Sequence, residues 1–247
     1  MKNLKSYVIL LLLTLSALSC SKESVSSYVN TTTPSPLQIP QLFESLILNP
    51  IIPPNNPQTE EGVVLGRKLF YDPLLSADNT QACASCHNPA NAFTDSSQFS
   101  EGIDGFLGGR NSMPLFNLAW NYEDQFFWDG RESGLENQAF EPITNPIEMH
   151  TSWPEVTEKL SQNSEYPILF EAAFGSIPID SVLVSRAIAQ FERTLISANS
   201  KFDAYLLGTN NLTVQEINGF NIFMDESKGD CFHCHGSENN PLWTDNK

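Results

Sequence analysis

QACASCHNPA, residues 81–90, holds Cys83, Cys86 and His87 in a C-x-x-C-H pattern. Two thiols three positions apart lie on the same side of a helical turn. They can add to the two vinyl groups of one haem, and a His directly after the second Cys can swing beneath the ring to ligate the iron. The pattern therefore reads as a c-type haem attachment site. It recurs in GDCFHCHG, residues 229–236, as Cys231, Cys234 and His235. Zinc is the rival reading, because Cys83, Cys86, Cys231 and Cys234 could supply one tetrahedron. That reading leaves both following His residues without a purpose. Of the other two His, His233 is expected to point away from its iron and His150 to lie at the surface near the pocket.

The remaining cysteine is Cys20, so no Cys is left over for an ordinary disulfide framework. Residues 1–5, MKNLK, are basic, and residues 7–19, YVILLLLTLSALS, form an apolar run of signal-peptide length. The run is too short for a good membrane-spanning helix. It ends at Cys20 and the chain turns polar at once. This stretch resembles a bacterial lipoprotein signal, with Ala17 standing where Leu is usual. The expectation is an exported protein, periplasmic or in the cell envelope, touching the membrane by a lipid anchor on Cys20 only. Export also favours haem, since c-type haems are attached outside the cytoplasm.

The balance of 13 Lys plus Arg against 29 Asp plus Glu gives a net charge of −16. Nucleic-acid phosphates would repel such a surface, so nucleic acid is excluded as a partner. The charge suits solubility or a basic protein partner. Residues 21–57 are Ser/Thr-rich and then Pro-rich, with seven Pro from Pro34 to Pro57, and read as an extended tether. The apolar patch LFESLIL within it is placed to dock on the body. Helical signals begin at Thr59, a cap for EEGVVLGRKLF with acids in its first turn. TSWPEVTEKLSQ reads as a helix from near Pro154. DSVLVSRAIAQFERTLIS is the clearest helix, capped by Asp180, with Val184, Ile188, Phe191 and Leu195 at helical spacing. A last helix starts at Thr213, whose capping box closes with Glu216, and is expected to end near Gly229. No alternating strand pattern is evident, so the fold class is mainly α.

Four longer stretches carry a family resemblance. They are LGRKLFYDPLLSADNTQACASCHNPANAFTD (65–95), GGRNSMPLFNLAW (108–120), FFWDGRESGLENQAFEPITNPIEM (126–149) and AIAQFERTLISANSKFDAYLLG (187–208). In order and spacing they resemble the bacterial di-haem cytochrome c peroxidases, a family that includes the methylamine dehydrogenase maturation enzyme. The resemblance runs from about Asn55 to Gly236. It implies two cytochrome c-like haem domains and two covalently bound c-type haems. The first, on Cys83 and Cys86 with His87 as iron ligand, would be peroxidatic. The second, on Cys231 and Cys234 with His235, would transfer electrons. Trp128 matches the tryptophan between the haems, Gln138 and Glu148 the polar pair over the first haem's open face, and Asn111 a side chain at an interdomain calcium site. Glu148 can shuttle a proton between peroxide oxygens, and Gln138 can orient peroxide without titrating.

The implied organisation is a signal peptide at 1–20, a tether at 21–57, an N-terminal haem domain at 58–200 and the start of a C-terminal haem domain at 201–247. The second haem domain reads as truncated at the C-terminus, because no Met, His or Tyr follows His235 to serve as its distal ligand. The loop after the first motif also lacks the His that blocks the resting peroxidatic iron in many family members. The implied activity is reduction of hydrogen peroxide to water with electrons from a small cytochrome c or cupredoxin. The alternatives are a same-family enzyme that oxidises side chains of a partner protein, and a haem electron carrier without peroxidase activity.

Overall fold

The computed structural model describes residues 32–46, 49–175 and 178–236. The expected signal peptide, its lipidation site Cys20 and the first part of the tether lie outside the described residues. From Thr33 the Pro-rich segment is docked on the body. The Thr33 N–H donates to the Glu61 carboxylate at 2.9 Å, and the Ser35 N–H donates to the Gln58 carbonyl at 3.0 Å. Helix α1 (Gln41–Leu46) buries Leu42 and Phe43 against Ala119 and Trp120, with the Phe43 ring edge-on to the indole at 5.0 Å.

The helix starts follow the capping chemistry. Helix α2 (Glu60–Tyr71) opens at Thr59, whose hydroxyl accepts the Gly62 N–H. Helix α3 (Cys83–Cys86) is the single turn of the first motif. The only sheet among the described residues is a two-stranded antiparallel pair, β1 (Gln125–Phe126) with β2 (Glu132–Ser133). Two short helices follow, α4 (Leu135–Gln138) and α5 (Phe140–Thr144). Helix α6 (Trp153–Gln162) starts from the Ser152 cap with Pro154 in its first turn, and α7 (Tyr166–Phe174) comes next. The Asp180 side chain caps α8 (Ser181–Glu192). Capping boxes open α9 (Lys201–Leu206) and α10 (Val214–Phe223), and α11 (Phe232–His235) is the turn of the second motif. No helix among the described residues is long and apolar enough to cross a membrane.

Three elements depart from the sequence pattern, each for a local reason. Helix α8 stops at Glu192 instead of continuing through Ser197. The Asn117 side chain captures both the N–H and the C=O of Ser197, at 2.8 and 2.9 Å, and draws the chain off the helical path. Helix α10 ends at Phe223, ahead of Gly229, because the Asp225 carboxylate takes the Ser227 N–H at 2.9 Å and starts a turn. Helix α7 was not legible, since YPILFEAAF presents apolar residues without a polar face to set the period.

The core is built on the crossing of α2 with α8. Leu65, Leu69, Val184, Ala187 and Ile188 meet there, backed by Val156, Leu160, Tyr166 and Phe170 from α6 and α7. Each fully buried aliphatic or aromatic side chain contributes about 1.5–3 kcal/mol. Glycine sets the spacing: a Cβ on Gly66 would lie 1.8 Å from the Ala187 carbonyl oxygen, and one on Gly62 would lie 2.1 Å from the Gln190 side-chain oxygen. A buried polar belt borders the crossing. The Gln190 amide donates to the Asn56 side chain at 2.8 Å and accepts from the Thr59 N–H at 3.0 Å, while Gln58 donates to the Gln190 carbonyl at 2.9 Å. Asn56 in turn donates to Glu136 on α4 at 2.6 Å.

Gly66→Ala is expected to lower stability by about 1–3 kcal/mol, because a backbone carbonyl cannot step aside. Gly219→Ala, on the open face of α10 where nothing lies within 4 Å, is expected to be neutral or stabilising. Thermal unfolding followed by circular dichroism separates the two, and equal midpoints would refute the close approach.

Candidate active site

The single turn α3 is fixed to the loop that follows it. Ser112 donates its hydroxyl to the Cys86 carbonyl at 2.7 Å and accepts the Asp95 N–H at 2.7 Å. The Asp95 carboxylate takes the Ser100 hydroxyl at 2.6 Å, which ties the two ends of the loop together. His87 bonds through Nδ1 to the Phe93 carbonyl at 2.9 Å. A carbonyl can only accept, so Nδ1 carries the proton and a neutral ring leaves Nε2 as the bare nitrogen. Burial holds the His87 pKa below its ordinary value, against the pull of its backbone partners. Cys83, Cys86, Cys231 and Cys234 are all free. Burial, reinforced by the charge of Glu192, pushes the Cys83 thiol up to about 12, and burial pushes Cys86 up to about 11.

Cys83, Cys86 and His87 form one wall of a cavity of about 370 Å³. The size falls in the ordinary range for a small-molecule or cofactor site. Trp128, Gln138, Glu148 and Asn111 line the same cavity. Residues from distant parts of the chain thus converge on the first motif. The second motif takes no part in that wall. It lies on the one-turn α11, with Cys234 and His235 exposed and His233 turned to Asp230 at 2.6 Å. His150 lies at the surface and pairs with Asp104 at 2.6 Å.

Each wall has its own support. Gln138 ends α4, and that helix is anchored through Glu136, which Arg193 holds at 2.7 Å. Glu148 sits in the loop after α5. Asn145 donates to its carboxylate at 3.0 Å, and the Ile103 N–H donates to its carbonyl at 3.1 Å. Gly102 lets that second segment approach, since a Cβ there would lie 1.8 Å from the Ile147 carbonyl oxygen. The Glu148 pKa is raised, chiefly by burial and against the Asn145 hydrogen bond. Trp128 stands at the rim, 53% exposed, with its indole N–H on the Asn111 carbonyl at 3.0 Å. Its neighbour Phe127 lies beneath the Arg131 guanidinium at 3.8 Å, and Arg131 forks onto Glu141 with two bonds of 2.9 Å. No cluster of acidic, His and Cys groups among the described residues is arranged to hold a bare metal ion, and Asn111 meets Trp128 through its main chain.

Sequence reasoning passed over several contributors. Ser112, Gly102 and Arg131 act by position, and single residues in loops carry no periodic signal. Glu192 also lines the cavity, 4% exposed. Its signal was present: an acid four positions after Ile188, on the buried face of the clearest helix.

These features coincide with a known class. The chain belongs to the di-haem cytochrome c peroxidase family, whose model matches residues 60–211. That range includes the first motif and stops before the second. The chain is similar to the methylamine utilization protein MauG of Methylorubrum extorquens, 40% identical over 187 residues that cover 75% of this chain and 52% of the relative. It is also 38% identical to the cytochrome c peroxidase Ccp of Escherichia coli over 187 residues, covering 75% of this chain and 39% of that protein. The chain therefore spans about half the length of the curated relatives it matches. Among solved structures, a MauG-like protein associated with microbial copper homeostasis superimposes with a TM-score of 0.75 at 33% identity, over 85% of this chain and 61% of the other.

Ser112→Ala is expected to cost about 1–3 kcal/mol, because it strips a partner from a half-buried carbonyl and from an amide. Hydrogen exchange at the Asp95 amide should accelerate, and unchanged protection there would show that Ser112 does not fasten the loop.

Proposed function

We propose that this protein reduces hydrogen peroxide to water at a haem attached through Cys83 and Cys86 and ligated by His87. The observation that carries the reading is the single cavity joining this motif to Gln138, Glu148 and Trp128. The residues fit the group: two unpaired thiols and an imidazole whose Nδ1 is held by the Phe93 carbonyl border one largely apolar space. When bound, the haem would supply the iron centre for this reduction, with two electrons coming from the donor protein and two protons from solvent.

The chain's own residues handle the protons and the orientation. Glu148, half-buried and with its pKa raised by burial, is as a carboxylate a stronger base than a free one and is suited to take a proton from one peroxide oxygen and return it to the other. Gln138 is suited to orient peroxide through its amide without titrating. A mere electron carrier has no use for such a wall. Trp128, at the rim, offers an indole between this site and a second haem on Cys231, Cys234 and His235. The donor would be a small cytochrome c or cupredoxin, and the net charge of −16 favours a basic one. Export with a lipid anchor on Cys20, and calcium at Asn111, belong to the same reading. Oxidation of a partner protein's side chains is the second reading, favoured by the 53% exposure of Trp128 at the cavity rim.

Cys83→Ser with Cys86→Ser should remove one of two covalent haems, and a pyridine haemochrome assay that still counts two would defeat the assignment. Glu148→Gln should keep both haems while lowering peroxide turnover by about 10²-fold, the usual weight of a positioned acid–base group. Since no His lies between His87 and Met149, the oxidised first haem should be high-spin and react with peroxide without prior reduction. An entirely low-spin ferric spectrum would contradict that expectation.

A further inference from the structure

Glu192 is the buried acid that the proposed reaction does not use. It ends α8, one turn beyond Ile188, and both residues line the cavity of the first motif. Its side chain is 4% exposed, and its Oε2 has no hydrogen-bond partner among the described residues. Buried polar atoms in folded proteins are nearly always paired, so an orphan asks for an explanation. The adjacent Arg193 does not hydrogen-bond to it: one guanidinium nitrogen, Nη2, is held by Glu136 at 2.7 Å, and the other, Nη1, is itself buried without a hydrogen-bond partner among the described residues. Nearby polar side chains such as Asn56, Thr59 and Gln190 are bonded to one another. Glu192 stands outside that belt, facing the attachment wall.

We propose that Glu192 is the redox-linked proton site of the first haem: it takes up one proton when one electron enters that haem and releases the proton when the electron leaves. The inference rests on the haem reading given above. The balance is one electron to the iron, from ferric to ferrous, and one proton from solvent to a Glu192 carboxylate oxygen. The reductant is the donor protein in the cell and dithionite in the test. Ferric iron in a dianionic porphyrin carries a net positive charge, and ferrous iron does not. In a poorly solvated cavity that charge favours the Glu192 carboxylate, and its loss on reduction favours the acid.

The charged surroundings agree with this role. Burial pushes Glu192 up to about 8, with Arg193 acting downward and Glu136 upward. From α3 the facing group is Cys83, whose own pKa is raised partly by Glu192, which brings the two into electrostatic reach. From α4 it is Glu136, and the buried residues of α2, among them Gly66 and Phe70, are uncharged. Glu148 lies across the cavity, half-buried and bonded to Asn145, so its carboxylate is not orphaned in the same way.

The sign follows from linkage. Reduction binds a proton, so the first haem becomes harder to reduce as pH rises between the Glu192 pKa of the ferric state and that of the ferrous state. One proton per electron changes the reduction equilibrium about tenfold per pH unit within that window. The test uses the full haem-loaded chain carrying Cys231→Ser and Cys234→Ser, so that one haem titrates, with and without Glu192→Gln. Spectroelectrochemistry should give the tenfold dependence with Glu192 and less than about a twofold dependence with Gln. Reduced-minus-oxidised infrared spectra should show a carboxylic-acid carbonyl band appearing on reduction only when Glu192 is present, a readout that does not require the variant to be stable for long. An unchanged pH slope in Glu192→Gln, or no acid band on reduction of the Glu192 protein, would overturn the inference alone. Absence of covalent haem on Cys83 and Cys86 would overturn the haem reading and the inference together.

Discussion

The close approach of α2 to α8 is the constraint on which the rest of the molecule depends. Gly66 lies against the Ala187 carbonyl with no room for a methyl group. That spacing lets Leu65 and Leu69 reach Ile188 and Val184 and close the core. It also brings the end of α8, with Phe191 and Glu192, beside the first motif, where Phe191, Phe70 and Cys83 share one apolar cluster. The polar belt of Asn56, Gln58, Thr59 and Gln190 adds direction to a contact that packing alone would leave free to slide. Through Asn56 and Glu136 the same belt reaches α4 and so sets Gln138.

Much of this was legible in the sequence, and the legible part has a physical signature. Caps at Thr59, Asp180 and Thr213 fixed helix starts because a side chain that accepts an orphan N–H has few substitutes. Helix ends were read less well. At Ser197 and Ser227 the chain leaves the helix because Asn117 and Asp225 compete for the backbone, and such competition depends on tertiary position. Cys83, Cys86, His87, Gln138, Glu148 and Trp128 were all named from motifs, and they do line one cavity. Ser112, Gly102 and Glu192 were not, because their importance comes from what the fold places opposite them.

The two acids of the cavity differ in their support, and the difference bears on chemistry. Glu148 is in a loop, tied to Asn145 and to the Ile103 amide, and remains partly open to water. Glu192 is on the last turn of a core helix and has one oxygen bare. A group in the first setting can exchange protons with a small substrate and with solvent. A group in the second responds mainly to the charge of whatever fills the cavity. Burial raises the pKa of both, but only Glu192 shifts far enough to lie near 8.

The bond between Gln190 and Asn56 joins residues 134 positions apart, whereas Cys83 and His87 are neighbours within one turn. In kinetic terms the cavity has a local wall and a distant wall. The local wall can form as soon as its short segment is made. The distant wall must wait for a long loop to close, which is entropically the slowest kind of contact to establish. A folding chain therefore presents the thiols of that turn in the open well before α8 arrives to cover them. The order of the sequence itself keeps the Cys83–Cys86 turn accessible early and enclosed late.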